Sequence, residues 1–505
     1  MTGRYRRAFA GQILLLATIS MVMLLGFTAL AVDIGYLYST RRRMQTAADA
    51  AAIAGATALR DGQDYTKAAG DVTSLNGFTN SQNDVTVAVS EPTLPPPYPS
   101  DVTYVEVDIS QTVPTYFLRA LGYKSMNVGA RAVSGAVAGP ACIYLLDRTD
   151  AQTLSLTGGS SVTAQCGIVD DSSSSSGLSL SDGASLTATS IGVSASNFSP
   201  PDADISPRPV PNVAALPDPL AARAQGAAPS VGTCSQNIST ITGTDELNGG
   251  GTLNLTPAVY SGGIRIAGNG GTVTFAAGDY GNSVSAAGSL NSLTFNPGQY
   301  QNGGNGDSIT LAGNIAAAFN PGSYTFCGAV DISGDSSVTL QPGTYFGGIR
   351  IAGNANITFS PGTYILGGGG LTVSGRVTLK GSGVTFYNSS APGFAYAPID
   401  LRRRVAANLS APTSGTFEGF LFFQDPSVPV GSAGLTILGN SSSTFDGIIY
   451  SPNTAITYAG DSSASGYTVV VAYKMAFTGD RTSNFGDNYS SLADGAPIKS
   501  SALYE

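Results

Sequence analysis

Around Ile349 to Phe359 the chain alternates: Ile349, Ile351, Ile357 and Phe359 fall on one side, Arg350, Asn356 and Thr358 on the other. A period of two predicts short β-strands with one buried face. The breaks between such strands read Asn-Pro-Gly, Ser-Pro-Gly or Gly-Asn, where Pro fixes φ and Gly or Asn accepts a positive one. The unit repeats. Tyr260, Tyr280, Tyr300, Tyr324, Tyr345 and Tyr364 recur at steps of 19 to 24 residues, most of them closing a Pro-Gly-x-Tyr turn, and the string GGIRIAGN occurs at both 262–269 and 347–354. That length is one coil of a solenoid, a unit that buries its apolar face only against neighbours. The fold class predicted is mainly β, a right-handed parallel β-helix.

Fainter copies extend the array. TLSLTGGSSVTAQCGIV (153–169) matches GLSLSDGASLTATSIGV (177–193) at an offset of 24, predicting two early rungs. After Tyr364, GVTFY (383–387), FEGFLFF (417–423), FDGIIY (445–450) and YTVVVA (467–472) continue the series with longer insertions. The solenoid is therefore assigned to 139–485. A Pro- and Ala-rich stretch, 198–230, interrupts it as an extended linker or lateral loop between early rungs and main array. Residues 486–505 are assigned as a C-terminal tail.

The N-terminal pattern is different. Ala8 to Val32 is a run of 25 residues without a charge, preceded by Arg4, Arg6 and Arg7. At about 1.5 Å per residue it spans roughly 37 Å, enough to cross a bilayer with some tilt. A cleaved signal peptide has a shorter apolar region ending in a small-x-small site, and Leu30-Ala31-Val32 fits that poorly, which favours an uncleaved transmembrane helix. An Ala-rich pattern carries the helix on to about Leu59. Leu37, Met44, Ala48, Ala51 and Ala52 form a narrow seam while Arg41, Gln45 and Asp49 face away. The seam suits close packing, either on the chain's own following module or on helices of a partner or second copy. The order is then a basic tail 1–10, the helix 11–59, a small α+β module 60–138, the solenoid and the tail.

Charge narrows the partners. The formal net charge is −9, and six of the basic residues flank the apolar run, so nucleic acid is not an expected partner. Arg402-Arg403-Arg404 reads as a solvated loop. The four cysteines, Cys142, Cys166, Cys234 and Cys327, all follow the apolar run, an even set that suits an oxidising compartment. Three pairings are open; Cys142 with Cys166 and Cys234 with Cys327 is the favoured one. Basic residues tie at the two ends of the run (Arg41, Arg42 and Arg43 follow it), so the cysteines orient it: N-terminus inside, bulk of the chain outside the cytoplasm.

Catalysis has little to work with. Without His, Ser-His-Asp and Cys-His mechanisms are excluded. Asp331, Asp335, Asp446 and Asp461 are the carboxylates available for sugar cleavage, but the first two sit at turn positions where Asp serves the backbone. GGNGDS (303–308) breaks the spacing of serial calcium repeats and occurs once. No cofactor or metal is expected. Tyr387, Tyr396, Tyr450, Tyr458 and Tyr467 offer stacking platforms for cell-surface glycans, although Trp, the best platform, is missing.

One segment resembles a known family. Gly11-Gln12 before the apolar run, Leu-Ala-Val-Asp33-x-Gly35 at its end, then Tyr36, the basic cluster, and Gln45-x-Ala-Ala48-Asp49-Ala-Ala51 together look like the TadG-like N-terminal segment of Flp (Tad) pilus-assembly proteins. The next segments fit too: VTVAVS (85–90), YVEVDIS (104–110), PTYFLRALG (114–122) and MNVGARAVS (126–134) read as strand, strand, short helix, strand. The resemblance covers about 7–138. It implies a non-enzymatic component anchored in the bacterial inner membrane, with other Tad proteins as partners and its bulk periplasmic or extracellular. Members processed like pilins are cut after such a Gly with Glu five residues on; here Gly11 is followed by Gln12 to Leu16, so that signature is incomplete. The alternative is a surface adhesin, or a glycan-binding or glycan-cleaving β-helix.

Overall fold

A computed structural model of the chain describes residues 7–60, 63–92, 104–138, 141–197, 204–213, 215–234, 240–241, 245–248, 250–302, 306–402, 404–438, 443–460 and 466–504. Two compact units emerge, Met1–Ala138 with Lys499–Glu505, and Gly139–Ile498.

The first unit is built on one long helix, α1 (Arg7–Arg60). No Gly-Pro break interrupts it. Side chains 13–28 are exposed on all sides, and the helix holds a stretch long and apolar enough to cross a membrane. A second helix, α2 (Tyr65–Leu75), starts where the Asp64 carboxylate accepts the N–H groups of Thr66 and Lys67, both at 3.0 Å. Three antiparallel strands follow, β1 (Val85–Ser90), β2 (Tyr104–Pro114) and β3 (Ser125–Ala138), with a single 3₁₀ turn at Leu118–Leu121. The strand–strand–helix–strand order matches the sequence reading. The predicted tail is corrected: Lys499–Tyr504 returns as the fourth strand, pairing antiparallel with β3 from Val133↔Tyr504 to Ala138↔Lys499. The solenoid is thus inserted in the chain between two neighbouring strands of one sheet.

The second unit is a parallel β-solenoid of about 14 turns. At a strand spacing of about 4.8 Å that is roughly 65 Å of stacked rungs. Like stacks on like: Ile264, Val284, Ile309, Val330, Ile349, Leu371 and Ile399 occupy one column in successive rungs, all buried. Corner tyrosines form a second column, with ring centroids 5.3 Å apart for Tyr280–Tyr300, 4.7 Å for Phe326–Tyr345 and 5.3 Å for Tyr364–Phe386. Each repeat Tyr donates its hydroxyl to the carbonyl four residues earlier, as in Tyr345 to Gln341 at 2.6 Å and Tyr300 to Asn296 at 2.8 Å. This explains the Pro-Gly-x-Tyr recurrence: the ring fills the interior and the hydroxyl closes its own corner.

A third column is glycine. Gly288, Gly313, Gly334, Gly353 and Gly375 all have positive φ, and a Cβ on Gly334 would lie 2.5 Å from the Gly313 carbonyl oxygen. Both conformation and crowding therefore require Gly at the seventh position of GGIRIAGN.

The order of the rungs differs from expectation. The early rungs do not precede the main array; they stack beyond its last one. Strand Thr468–Thr478 pairs in parallel with Ala141–Leu145 (Val470↔Ile143) and Leu154–Thr157 (Met475↔Leu154), and these carry the rungs at 167–170 and 190–193. The chain enters the solenoid between rungs, builds outward, and then must travel back to the other end to begin again near Asp245–Asn248. The Pro-rich stretch is the return strap. Its contacts run monotonically backwards: Tyr450 donates to Asp218 at 2.6 Å, Arg223 donates to the Glu418 carbonyl at 2.5 Å and lies over Phe420, Val231 packs where Gly367 leaves room, and Cys234 joins Cys327. Residues 198–203 and 214 of that stretch lie outside the described residues.

Candidate functional site

The residues singled out by sequence converge on the first unit, where α1 emerges from the apolar run and meets the sheet. Small side chains set the distance. Ala47, Ala48, Ala51, Ala52 and Ala56 are fully buried against Val105, Val107, Ile109, Ala130 and Ala132 of β2 and β3. A Cβ on Gly55 would stand 2.8 Å from Val105 Cγ1, so Gly at that position lets the helix lie on the sheet. The Ala seam therefore packs on the chain's own module. Gln45 and Asp49, expected to face away, are half-buried: Gln45 Nε2 donates to Asp49 Oδ1 at 2.8 Å and to the Arg131 carbonyl at 2.9 Å. A helix packed on a sheet covers a wider arc than the narrow seam the sequence suggested.

Asp33 has a specific task. It is the first charged residue after the apolar run, it is buried, and it accepts three backbone N–H groups, from Tyr116 at 3.0 Å, Phe117 at 2.8 Å and Leu118 at 2.5 Å. Those donors open the 3₁₀ turn in the β2–β3 connection, and a carboxylate satisfies them as a helix cap does. The clamp fixes that connection to α1 more than 80 residues away in sequence. Nothing in the sequence marks 116–118 as its partner, because backbone donors carry no side-chain signature. Gly35 and Tyr36 are exposed, and Tyr36 meets Tyr116 edge-on at 5.6 Å. Gly11 and Gln12 lie within α1.

The solenoid candidates serve structure. Asp331 pairs with Arg350 at 3.1 Å, Arg350 also binds Asp307, and Asp335 accepts from Asn354 at 2.9 Å. Asp446 lines a Ser- and Thr-rich surface cleft of about 410 Å³ with Ser382, Ser410 and Tyr467. Asp461, Gly303, Gly304, Asn305 and Arg403 lie outside the described residues. Tyr387, Tyr450, Tyr458 and Tyr467 are buried and Tyr396 half-buried, which corrects the reading of these rings as sugar platforms: Tyr458 packs in the interior among Phe445, Phe477 and Phe485, while Tyr387 and Tyr450 lie with Phe423 on the opposite strand face, where Tyr450 bonds Asp218 of the strap. Among the described residues no cluster of three His, Cys, Asp or Glu could hold a metal. Cys142 and Cys166 are joined, staple-like, across adjacent rungs, and each of the two bridges has Cα atoms 5.7 Å apart.

Of the buried carboxylates that no sequence motif marks, Asp170 has the most strongly raised pKa. Asp170, in the strand Gly167–Asp170, is almost fully buried; desolvation pushes its pKa up to about 6, against the hydrogen bonds from Thr153 Oγ1 (2.7 Å) and Ser172 N (3.1 Å) that hold it down. Its Oδ2 has no hydrogen-bond partner.

Comparison with known families falls on the first unit. Residues 11–58 match the family described as "Putative Flp pilus-assembly TadE/G-like", and residues 40–134 the family described as "Putative Tad-like Flp pilus-assembly". The two matches overlap along α1 over residues 40–58 and the second ends in β3, so the similarity covers α1, the residues of the clamp and strands β1 to β3. No curated protein and no solved structure matches the chain.

Proposed function

We propose that this chain, TadG-like over residues 11–134, is a non-enzymatic, membrane-anchored component of the Flp pilus-assembly apparatus that carries its β-solenoid outside the cytoplasm. The observation that bears most weight is the Asp33 clamp, which makes the end of the apolar run a structural part of the folded family module. The two disulfides suit an oxidising compartment and support a reading in which α1 crosses the inner membrane with its first residues in the cytoplasm. The work of the chain in this reading is positional: a rigid stack of rungs presented by an anchored module to other assembly proteins.

The test is a reporter active only outside the cytoplasm, fused after Glu505, with fractionation and thiol alkylation in the same cells and capture of Tad proteins from solubilised membranes. An active reporter on membrane-bound chain whose cysteines resist alkylation, recovered together with pilus-assembly proteins, is the expected result. An inactive reporter with alkylated cysteines overturns orientation; membrane chain that recovers no Tad protein overturns the assembly role.

A further inference from the structure

The β2–β3 connection, residues 115–126, presents an unusual surface. Tyr116, Phe117, Leu121, Tyr123 and Met126 are 63%, 50%, 74%, 62% and 42% exposed, and Arg119 and Lys124 stand exposed among them. Such a concentration of open apolar side chains marks a contact with something other than water. Its position is fixed: through Asp33, the backbone of 116–118 is hydrogen-bonded to α1 one residue past the 25-residue uncharged run. If Val32 ends the hydrocarbon span, the clamp holds this connection within a few ångströms of the bilayer, inside an interfacial layer roughly 5–7 Å thick on each side. A groove of about 570 Å³ between α1 and the connection is lined by Leu30, Ile34, Leu37, Leu118, Tyr123 and Met126, continuous with the apolar run itself.

We propose that residues 115–126 form a second, interfacial membrane contact: the aromatic and aliphatic side chains sit in the headgroup layer of the leaflet from which α1 emerges, and Arg119 and Lys124 meet lipid phosphates. Aromatic rings with a polar edge and basic side chains with apolar stems are the residues that favour this layer. The occupant is thus phospholipid. A helix alone lets its load swivel about one axis; a second contact, clamped to the first by Asp33, fixes the module's rotation and tilt on the membrane. The inference rests on the reading of α1 as a membrane span.

The chain contains no Trp, so each introduced Trp is a unique reporter. Full-length F27W, F117W and L75W are reconstituted into vesicles of phosphatidylcholine and phosphatidylglycerol, with and without acyl-brominated lipid, and Trp emission is read. Phe27 lies within the run and Leu75 at the end of α2. Expected are loss of emission for F27W and F117W with a blue shift in both, and none for L75W. L121W, outside the Asp33 hydrogen bonds, is the second reporter should F117W disturb the clamp. Quenched F27W with unquenched F117W and L121W overturns the interfacial contact and leaves the anchor; a blue shift at 117 and 121 without quenching means that protein, such as a second copy, covers the surface, and also overturns it. Unquenched F27W overturns the span and the inference with it.

Discussion

The two units bury apolar surface in opposite ways. In the solenoid, Ile, Val, Phe and Tyr stack on copies of themselves one rung away, so each residue's neighbours are set by the repeat. In the TadG-like module, alanines of α1 meet β-branched residues of β2 and β3 from distant parts of the chain, and the sheet is completed by the strand at 499–504. A stack of repeats couples only nearest neighbours, whereas a helix on a closed set of strands stands or falls together. Damage should therefore stay local in one unit and spread through the other.

The sharpest break is I351D. Ile351 is buried between Ile332 and Val373, and an unpaired carboxylate there costs on the order of 5 kcal/mol. Hydrogen exchange should show lost protection in the rungs around 330–373, with β2 and β3 of the module unchanged; intact protection there would refute the inward assignment of Ile351.

D33A attacks the module instead. Removing the acceptor leaves three backbone N–H groups without their partner and should lower the melting temperature of the module by on the order of 10 °C. Loss of protection should extend over α1 beyond residue 33, β2 and β3 together, while the solenoid keeps its own. A change confined to 116–121 would mean that the module is not one cooperative body.

The smallest effect sharpens the comparison by pH. Burial raises the Asp170 pKa to about 6 from 3.8, so the folded rung prefers the protonated acid. Its stability is greatest below pH 4 and falls as pH rises through 6, by about 3 kcal/mol in all. D170N keeps an acceptor and carries no charge. The difference in unfolding free energy between D170N and the natural chain should grow in favour of the variant from pH 4 to pH 7, measured by denaturant melts of the full chain. A difference independent of pH would show that Asp170 is not desolvated in the fold.

Much of this molecule is legible from side-chain pattern. Period two with Pro-Gly corners marks the rungs and their inward faces, Gly353 and Tyr345 announce the corner geometry, and an uncharged run followed by an Ala seam marks α1. These signals are local, and local sterics and burial enforce them. Partner choice is another matter. The alternating faces of 141–193 fit the first rung of the main array as well as the last, and only the assembled chain decides that they stack on Thr468–Thr478, with 215–234 returning as a strap. The same holds for Asp33, whose partners are backbone N–H groups common to every residue, and for Lys499–Tyr504, a strand too short to declare its sheet. Pattern states which face of an element must be covered; tertiary structure alone decides what covers it, because hydrophobic burial and backbone hydrogen bonds are indifferent to the identity of the neighbour.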